Sequence, residues 1–147
     1  ETKKKIPHLL AGVFSLFTIL HSGASYNRAR EGDEEMGEKV LMKPHNIQVL
    51  TLLCMFGCSS VGMDELESQM LQIRTGEGKS MILGAAAVML GLLGFRVRCV
   101  CYSEYLSMRD YNLFRGVFER FYLTSFITYS KITTLSEDTT AAKGDIR

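Results

Sequence analysis

Met70-Leu71-Gln72-Ile73-Arg74-Thr75-Gly76-Glu77-Gly78-Lys79-Ser80 runs from a short apolar stretch through a turn with two glycines to a lysine and a serine. Four apolar-leaning residues before a glycine turn predict a buried strand over 70–73. Residues 80–93 are dominated by Met, Leu, Ala and Val, contain no proline and are followed by Gly94, which predicts a helix closed by a glycine C-cap. Farther on, residues 95–102 predict a second strand, 104–120 a helix and 125–129 a third strand, while the tail from Ile132 fits no single element. The resulting β-loop-α-β-α-β alternation is that of an α/β fold with a parallel sheet flanked by helices.

Upstream, residues 9–20 carry apolar side chains on nearly all sides and predict a leading helix buried against other protein. Residues 23–39, rich in Gly, Asn, Arg and Glu, predict a connecting loop. Pro44 opens a further helical stretch, Ile47, Val49, Leu50, Leu52, Leu53, Met55 and Phe56, ended by Gly57 and the Ser59-Ser60-Val61-Gly62 cluster. Asp64-Glu65-Leu66-Glu67 predicts a surface helical turn. Phe114, Phe118, Phe121 and Tyr122 recur at helical spacing and are expected in the core.

At 147 residues the chain has room for one ordinary core, and 46% apolar with 22% charged residues places it among globular chains. A net charge of +1 supplies no global field to gather nucleic acid, which is not expected as a partner. The apolar run 9–20 falls short of the roughly 20 residues a membrane span needs. Lys3-Lys4-Lys5 before it has the look of a secretory signal, yet no small-x-small cleavage site follows and residues 21–35 are polar. A first residue other than Met, and a last stretch of Gly144-Asp145-Ile146-Arg147, suggest a fragment of a longer protein.

Cys54 and Cys58 sit four apart in a helical run, and Cys99 and Cys101 alternate along a strand-like one. Without a C-x2-C pair they read as packed, reduced thiols, in keeping with a cytoplasmic compartment. His8, His21 and His45 are scattered, with no carboxylate or cysteine at ligand spacing.

Chemistry concentrates in the glycine turn. Backbone N–H groups that cradle phosphate need glycines, here Gly76 and Gly78, for close approach and positive φ. Lys79 then reaches the β- and γ-phosphates, Ser80 offers a hydroxyl to Mg²⁺, and the helix beginning there adds its positive end. Arg74, Thr75 and Glu77 complete a loop expected to bind ATP or ADP with Mg²⁺. The common pattern G-x-x-x-x-G-K-[ST] has glycine where this chain has Ile73. A glycine-rich surface turn with a solvated lysine is the alternative.

The stretch Ile73-Arg74-Thr75-Gly76-Glu77-Gly78-Lys79-Ser80 resembles the nucleotide-binding loop of the SecA preprotein translocase ATPase family, which also has an apolar residue in place of the first glycine. Tyr102-Ser103-Glu104-Tyr105-Leu106-Ser107-Met108-Arg109-Asp110 is similar to that family's N-D-Y-L-A-x-R-D segment: Tyr105, Leu106, Arg109 and Asp110 coincide, and Ser103, Glu104 and Ser107 replace Asn, Asp and Ala. His45-Asn46-Ile47-Gln48-Val49-Leu50 resembles the stretch whose glutamine reads the adenine edge, which implies that role for Gln48. Gln48 lies farther from Lys79 than in bacterial members, with the extra residues in 58–69.

The resemblance covers about residues 40–147. It implies the N-terminal part of the first RecA-like fold: residues 1–40 a leading helix and polar loop, 41–147 an incomplete P-loop nucleotide-binding domain. In such a motor a second fold completes the site, and ATP hydrolysis drives a preprotein through a membrane channel. That places the chain in the cytoplasm, peripheral at a membrane. Arg109 and Asp110 are then candidates to contact the transported polypeptide or a neighbouring fold, against a locally paired set. Hydrolysis needs an acidic pair behind an apolar strand to hold Mg²⁺ and orient water. Glu137-Asp138 follows a poor strand over 132–136, so no catalytic residue is assigned and the chain is expected to end before that motif. A superfamily 2 nucleic-acid helicase and a non-hydrolysing nucleotide-binding module are the competing classes; Ile73 and the lack of basic surplus weigh against the helicase.

Overall fold

A computed structural model describes the backbone of residues 2–29, 42–58 and 68–143, with side chains over 4–22, 42–58 and 68–137. Among the described residues five helices and two strands follow in the order α1 (Thr2–Ala29), α2 (Asn46–Met55), α3 (Lys79–Leu92), β1 (Val97–Cys101), α4 (Glu104–Arg120), β2 (Ile127–Lys131) and α5 (Ile132–Lys143). β1 and β2 pair in parallel, Val97 opposite Ile127 and Cys99 opposite Tyr129, with α4 as the crossover between them. The result is a small parallel sheet flanked by helices, a partial RecA-like α/β arrangement.

α3 is the hub. Its centre, from Ala85 to Met89, is buried, and small residues there let neighbours approach closely. Gly84 takes the Phe114 ring of α4 against its bare Cα, where a Cβ would collide with the ring. α1 lays Ile6, Leu10, Val13, Phe14 and Phe17, a single stripe at three- and four-residue spacing, into the same core and packs on α3 and α4. Phe17 meets Phe114 at 4.7 Å between ring centres.

Three helices end in one way. After α2 the N–H of Gly57 bonds the Cys54 carbonyl and that of Cys58 bonds Leu53; after α3 Gly94 bonds Gly91 and Phe95 bonds Leu90; after α4 Tyr122 bonds Glu119 and Leu123 bonds Phe118. Each is a Schellman closure with a residue of positive φ at its corner, Gly57, Gly94 and Tyr122 at 69°, 92° and 57°. Tyr122 therefore points out, 87% exposed, and not into the core as its spacing suggested; Phe114 and Phe118 are fully buried and Phe121 half-buried.

Several expectations change. Residues 70–73 have no regular secondary structure and form no strand. A strand exists through inter-strand hydrogen bonds, and among the described residues none lies beside this stretch. Met70 is consequently exposed, while Ile73 leans on the core. The loop expected over 23–39 is helical to Ala29: once α1 is nucleated, each further residue adds a backbone bond whether or not it meets the core. Residues 132–136 are helical in α5, so Glu137-Asp138 lies within a helix and not behind a strand. The turn expected at 64–67 falls outside the described residues. No described helix is long and apolar enough to cross a membrane.

Candidate functional site

The site forms where α2, the glycine loop and the first turn of α3 meet the start of α4. His45 caps α2, and Gln48 folds back so that its Oε1 accepts the His45 backbone N–H at 3.0 Å. The same amide's Nε2 donates to the Glu77 carbonyl at 2.9 Å. Gln48 is only 3% exposed, so one buried side chain staples the N-terminus of α2 to the glycine loop.

Two positions in that loop admit only glycine for reasons visible in the structure. Gly76 has φ +92° over open space, so its constraint is conformational alone. Gly78 has φ +72°, and an added Cβ would stand 2.5 Å from Gln48 Nε2, so a side chain there would strain the backbone and push the Gln48 amide from its bond to Glu77. Gly78 is also the N-cap residue of α3 and has no side chain to satisfy the helix's first amides. Helix geometry leaves those N–H groups without intrahelical partners, and Lys79 and Ser80 occupy the first two helical positions. An anion placed there would meet free donors and the positive end of a 14-residue helix.

The side chains are engaged with the protein itself. Lys79 Nζ donates to the Arg74 carbonyl at 3.3 Å, lying back across the loop with its ammonium exposed. The Arg109 guanidinium, from the first turns of α4, donates through Nη2 to Ser80 Oγ at 3.1 Å. It also grips Asp110 Oδ1 through Nε at 3.0 Å and Nη2 at 2.8 Å. The Asp110 carboxylate is 9% exposed against 53% for Arg109, so the buried carboxylate fixes where the more exposed cation can stand. Asp110 holds Arg109 still more firmly in its charged form, first by the hydrogen bond and then by charge. Cys101, at the end of β1 beside this pair, has its thiol pushed above the ordinary range by burial and by the Asp110 charge, with Arg109 opposing.

A hollow of about 440 Å³ opens beside these groups, apolar on the side of Met55, Leu71 and Ile82 and polar where Lys79, Ser80, Arg109 and Asp110 converge. The loop can therefore present amides, an ammonium and a hydroxyl to one ligand. That donor set fits a nucleotide's phosphates with Mg²⁺, Ser80 being the hydroxyl able to ligate the cation. Thr75 stands exposed on the turn, and Arg74 supplies its carbonyl to Lys79.

Sequence reasoning placed Gln48, residues 74–80 and the Arg109-Asp110 pair as candidates, and the fold brings them all to one end of α3. It missed the bond from Arg109 to Ser80 and the brace from Gln48 to Glu77. Each joins residues 29 apart in sequence, and no local pattern encodes such a contact.

The model of the SecA DEAD-like domain family matches residues 19–143. Protein translocase subunit SecA 2 of Corynebacterium glutamicum is 37% identical over 59 residues, 40% of this chain and 8% of that protein. The SecA 2 subunit of Chlorobium chlorochromatii is 30% identical over 70 residues, 48% of this chain and 9% of its own length. Protein translocase subunit SecA of Pseudomonas savastanoi is 38% identical over 63 residues, 43% of this chain and 7% of that protein. The matched stretch thus spans less than a tenth of each of these relatives. No solved structure matches.

Proposed function

The chain belongs to the SecA DEAD-like domain family, and from that membership we propose that it is the nucleotide-gripping part of a translocase motor, binding Mg-ATP and Mg-ADP through residues 74–80. The observation that carries this reading is the open N-terminus of α3: a glycine N-cap at φ +72°, unsatisfied amides behind it, and Lys79 and Ser80 on its first turn. Lys79 leaves the Arg74 carbonyl, an exposed bond of 3.3 Å, to meet the β- and γ-phosphates. Ser80 Oγ would hold Mg²⁺, which would supply charge neutralisation to the phosphates. Gln48 would read the adenine edge with the second N–H and the second lone pair of its amide, which its two present bonds leave unused.

In the longer parent, ATP hydrolysis would be coupled to movement of a preprotein through a membrane channel, with this part on the cytoplasmic side and peripheral to the bilayer. Residues 74–80 bind and orient; no acidic pair behind a strand is found among the described residues to direct hydrolysis. The 147-residue chain should therefore bind nucleotide with negligible turnover.

Calorimetric titration with Mg-ADP tests the reading. Lys79→Ala removes a charged donor and should weaken binding by roughly ten- to a hundredfold. Equal affinity in the variant would place the phosphates elsewhere.

A further inference from the structure

The Ser80 hydroxyl is already spoken for. Its oxygen accepts a hydrogen bond from Arg109 Nη2 at 3.1 Å, and that guanidinium stays charged at any ordinary pH. A serine oxygen that receives this donor turns one of its two electron pairs toward Arg109. A cation on the remaining pair of the same oxygen would stand at contact range of a fixed positive charge. Arg109 is also not free to drift off: Asp110, buried on α4, holds it by two bonds to one carboxylate oxygen.

We infer that Arg109 is a latch, which occupies the Ser80 hydroxyl proposed above to ligate magnesium and must let go for Mg-nucleotide to bind. Nothing in the loop's own sequence requires this contact. It links the first turn of α3 to the first turns of α4, the two helices between which Gly84 and Phe114 make close contact. Of the three hydrogen bonds Arg109 makes, only one goes to Ser80, so the latch opens while the pair with Asp110 persists. Because coupling is reciprocal, whatever draws Arg109 away from Ser80 tightens Mg-nucleotide, and Mg-nucleotide displaces Arg109. Arg109 is thus a positioning residue that acts on the metal through Ser80. The inference rests on the nucleotide reading above, and magnesium dependence separates the two.

The test is ADP affinity measured with Mg²⁺ and with EDTA for the unaltered chain, Arg109→Gln, Ser80→Ala and the double variant. Arg109→Lys serves as the charge-keeping control, and melting of each nucleotide-free protein checks the fold. Groups in direct contact commonly couple strongly enough that Arg109→Gln should tighten Mg-ADP by about three- to tenfold. ADP in EDTA should change less than about twofold, and the gain should vanish in the Ser80→Ala background. Lys keeps the charge but lacks the fork, so Arg109→Lys should fall between. An equal gain in EDTA, a gain that survives Ser80→Ala, or weaker Mg-ADP binding by Arg109→Gln overturns the latch and leaves the nucleotide reading intact. An unaltered chain that binds ADP in neither buffer overturns both.

Discussion

The two ends of α3 are each turned by a glycine of positive φ, Gly78 at +72° and Gly94 at +92°, yet they are built to opposite purposes. At the C-terminal end Gly94 lets its own N–H and that of Phe95 return to the carbonyls of Gly91 and Leu90, so the helix closes on itself. At the N-terminal end Gly78 supplies no side-chain cap, and the amides that follow it are left for something else. The supports differ too. Gly94 has open space around it, whereas Gly78 lies against Gln48, whose amide is shared between α2 and the loop. A helix end that is closed by its own backbone is structural. One that is braced from outside but left open is where we propose the nucleotide binds.

The sharpest way to break this contrast is to put the same side chain at both ends. Gly78→Ala combines a left-handed backbone with a collision against Gln48, a cost of about 2–3 kcal/mol at the loop, and should lower Mg-ADP affinity by roughly a hundredfold. Gly94→Ala carries strain alone, about 1 kcal/mol of stability by urea unfolding, with Mg-ADP affinity unchanged. Equal effects on binding from the two substitutions would remove the distinction.

A second test reads the closed side of the molecule. Cys99 and Tyr129 face each other across the β1–β2 register, and the Tyr129 hydroxyl is buried without an oxygen or nitrogen partner. Burial pushes the Cys99 thiol from 9.0 up to about 11 and raises Tyr129 as well. A raised folded pKa means that the unfolded chain gives up its proton first. Stability is intact below pH 9 and declines as pH climbs toward 11, by on the order of 2 kcal/mol from Cys99. Melting temperatures across that window should fall, and Cys99→Ala should flatten the decline. A slope unchanged by the substitution would show that the thiol is not the group responsible.

The smallest effect concerns the third Schellman corner, where Tyr122 takes the position that glycine fills after α2 and α3. Tyr122→Gly relieves a left-handed non-glycine residue that is 87% exposed, and should raise stability by about 1 kcal/mol with no change in nucleotide binding. Loss of stability there would mean that the ring packs more than its exposure indicates.

What was legible in the sequence follows the range of the interactions involved. α3 and α4 lie where composition and Gly94 placed them, β1 and β2 lie within two residues of expectation, and Pro44 and Gly57 bracket α2. These depend on neighbours a few residues away. The family was legible as well, because Thr75-Gly76-Glu77-Gly78-Lys79-Ser80 and Tyr105-Leu106 with Arg109-Asp110 are local strings. Residues 70–73 look like a strand by composition, but a strand is a relation between two segments, and the partner is not encoded within the stretch. Tyr122 has helical spacing with the core phenylalanines, but it falls two residues beyond the helix end, just past the Phe121 cap, where the backbone reverses and turns it outward. The meeting of Arg109 with Ser80 depends on α4 crossing beside α3 at Gly84, a packing fact that no motif near either residue announces.

The central claim is that the open end of α3 receives the phosphates of a magnesium nucleotide, and backbone amide resonances followed by NMR during Mg-ADP titration test it most directly. The amides of Gly76, Gly78, Lys79 and Ser80 should shift strongly while those of Gly94 and Phe95 stay still. Shifts confined to residues away from 74–80, or of equal size at both ends of α3, would contradict it.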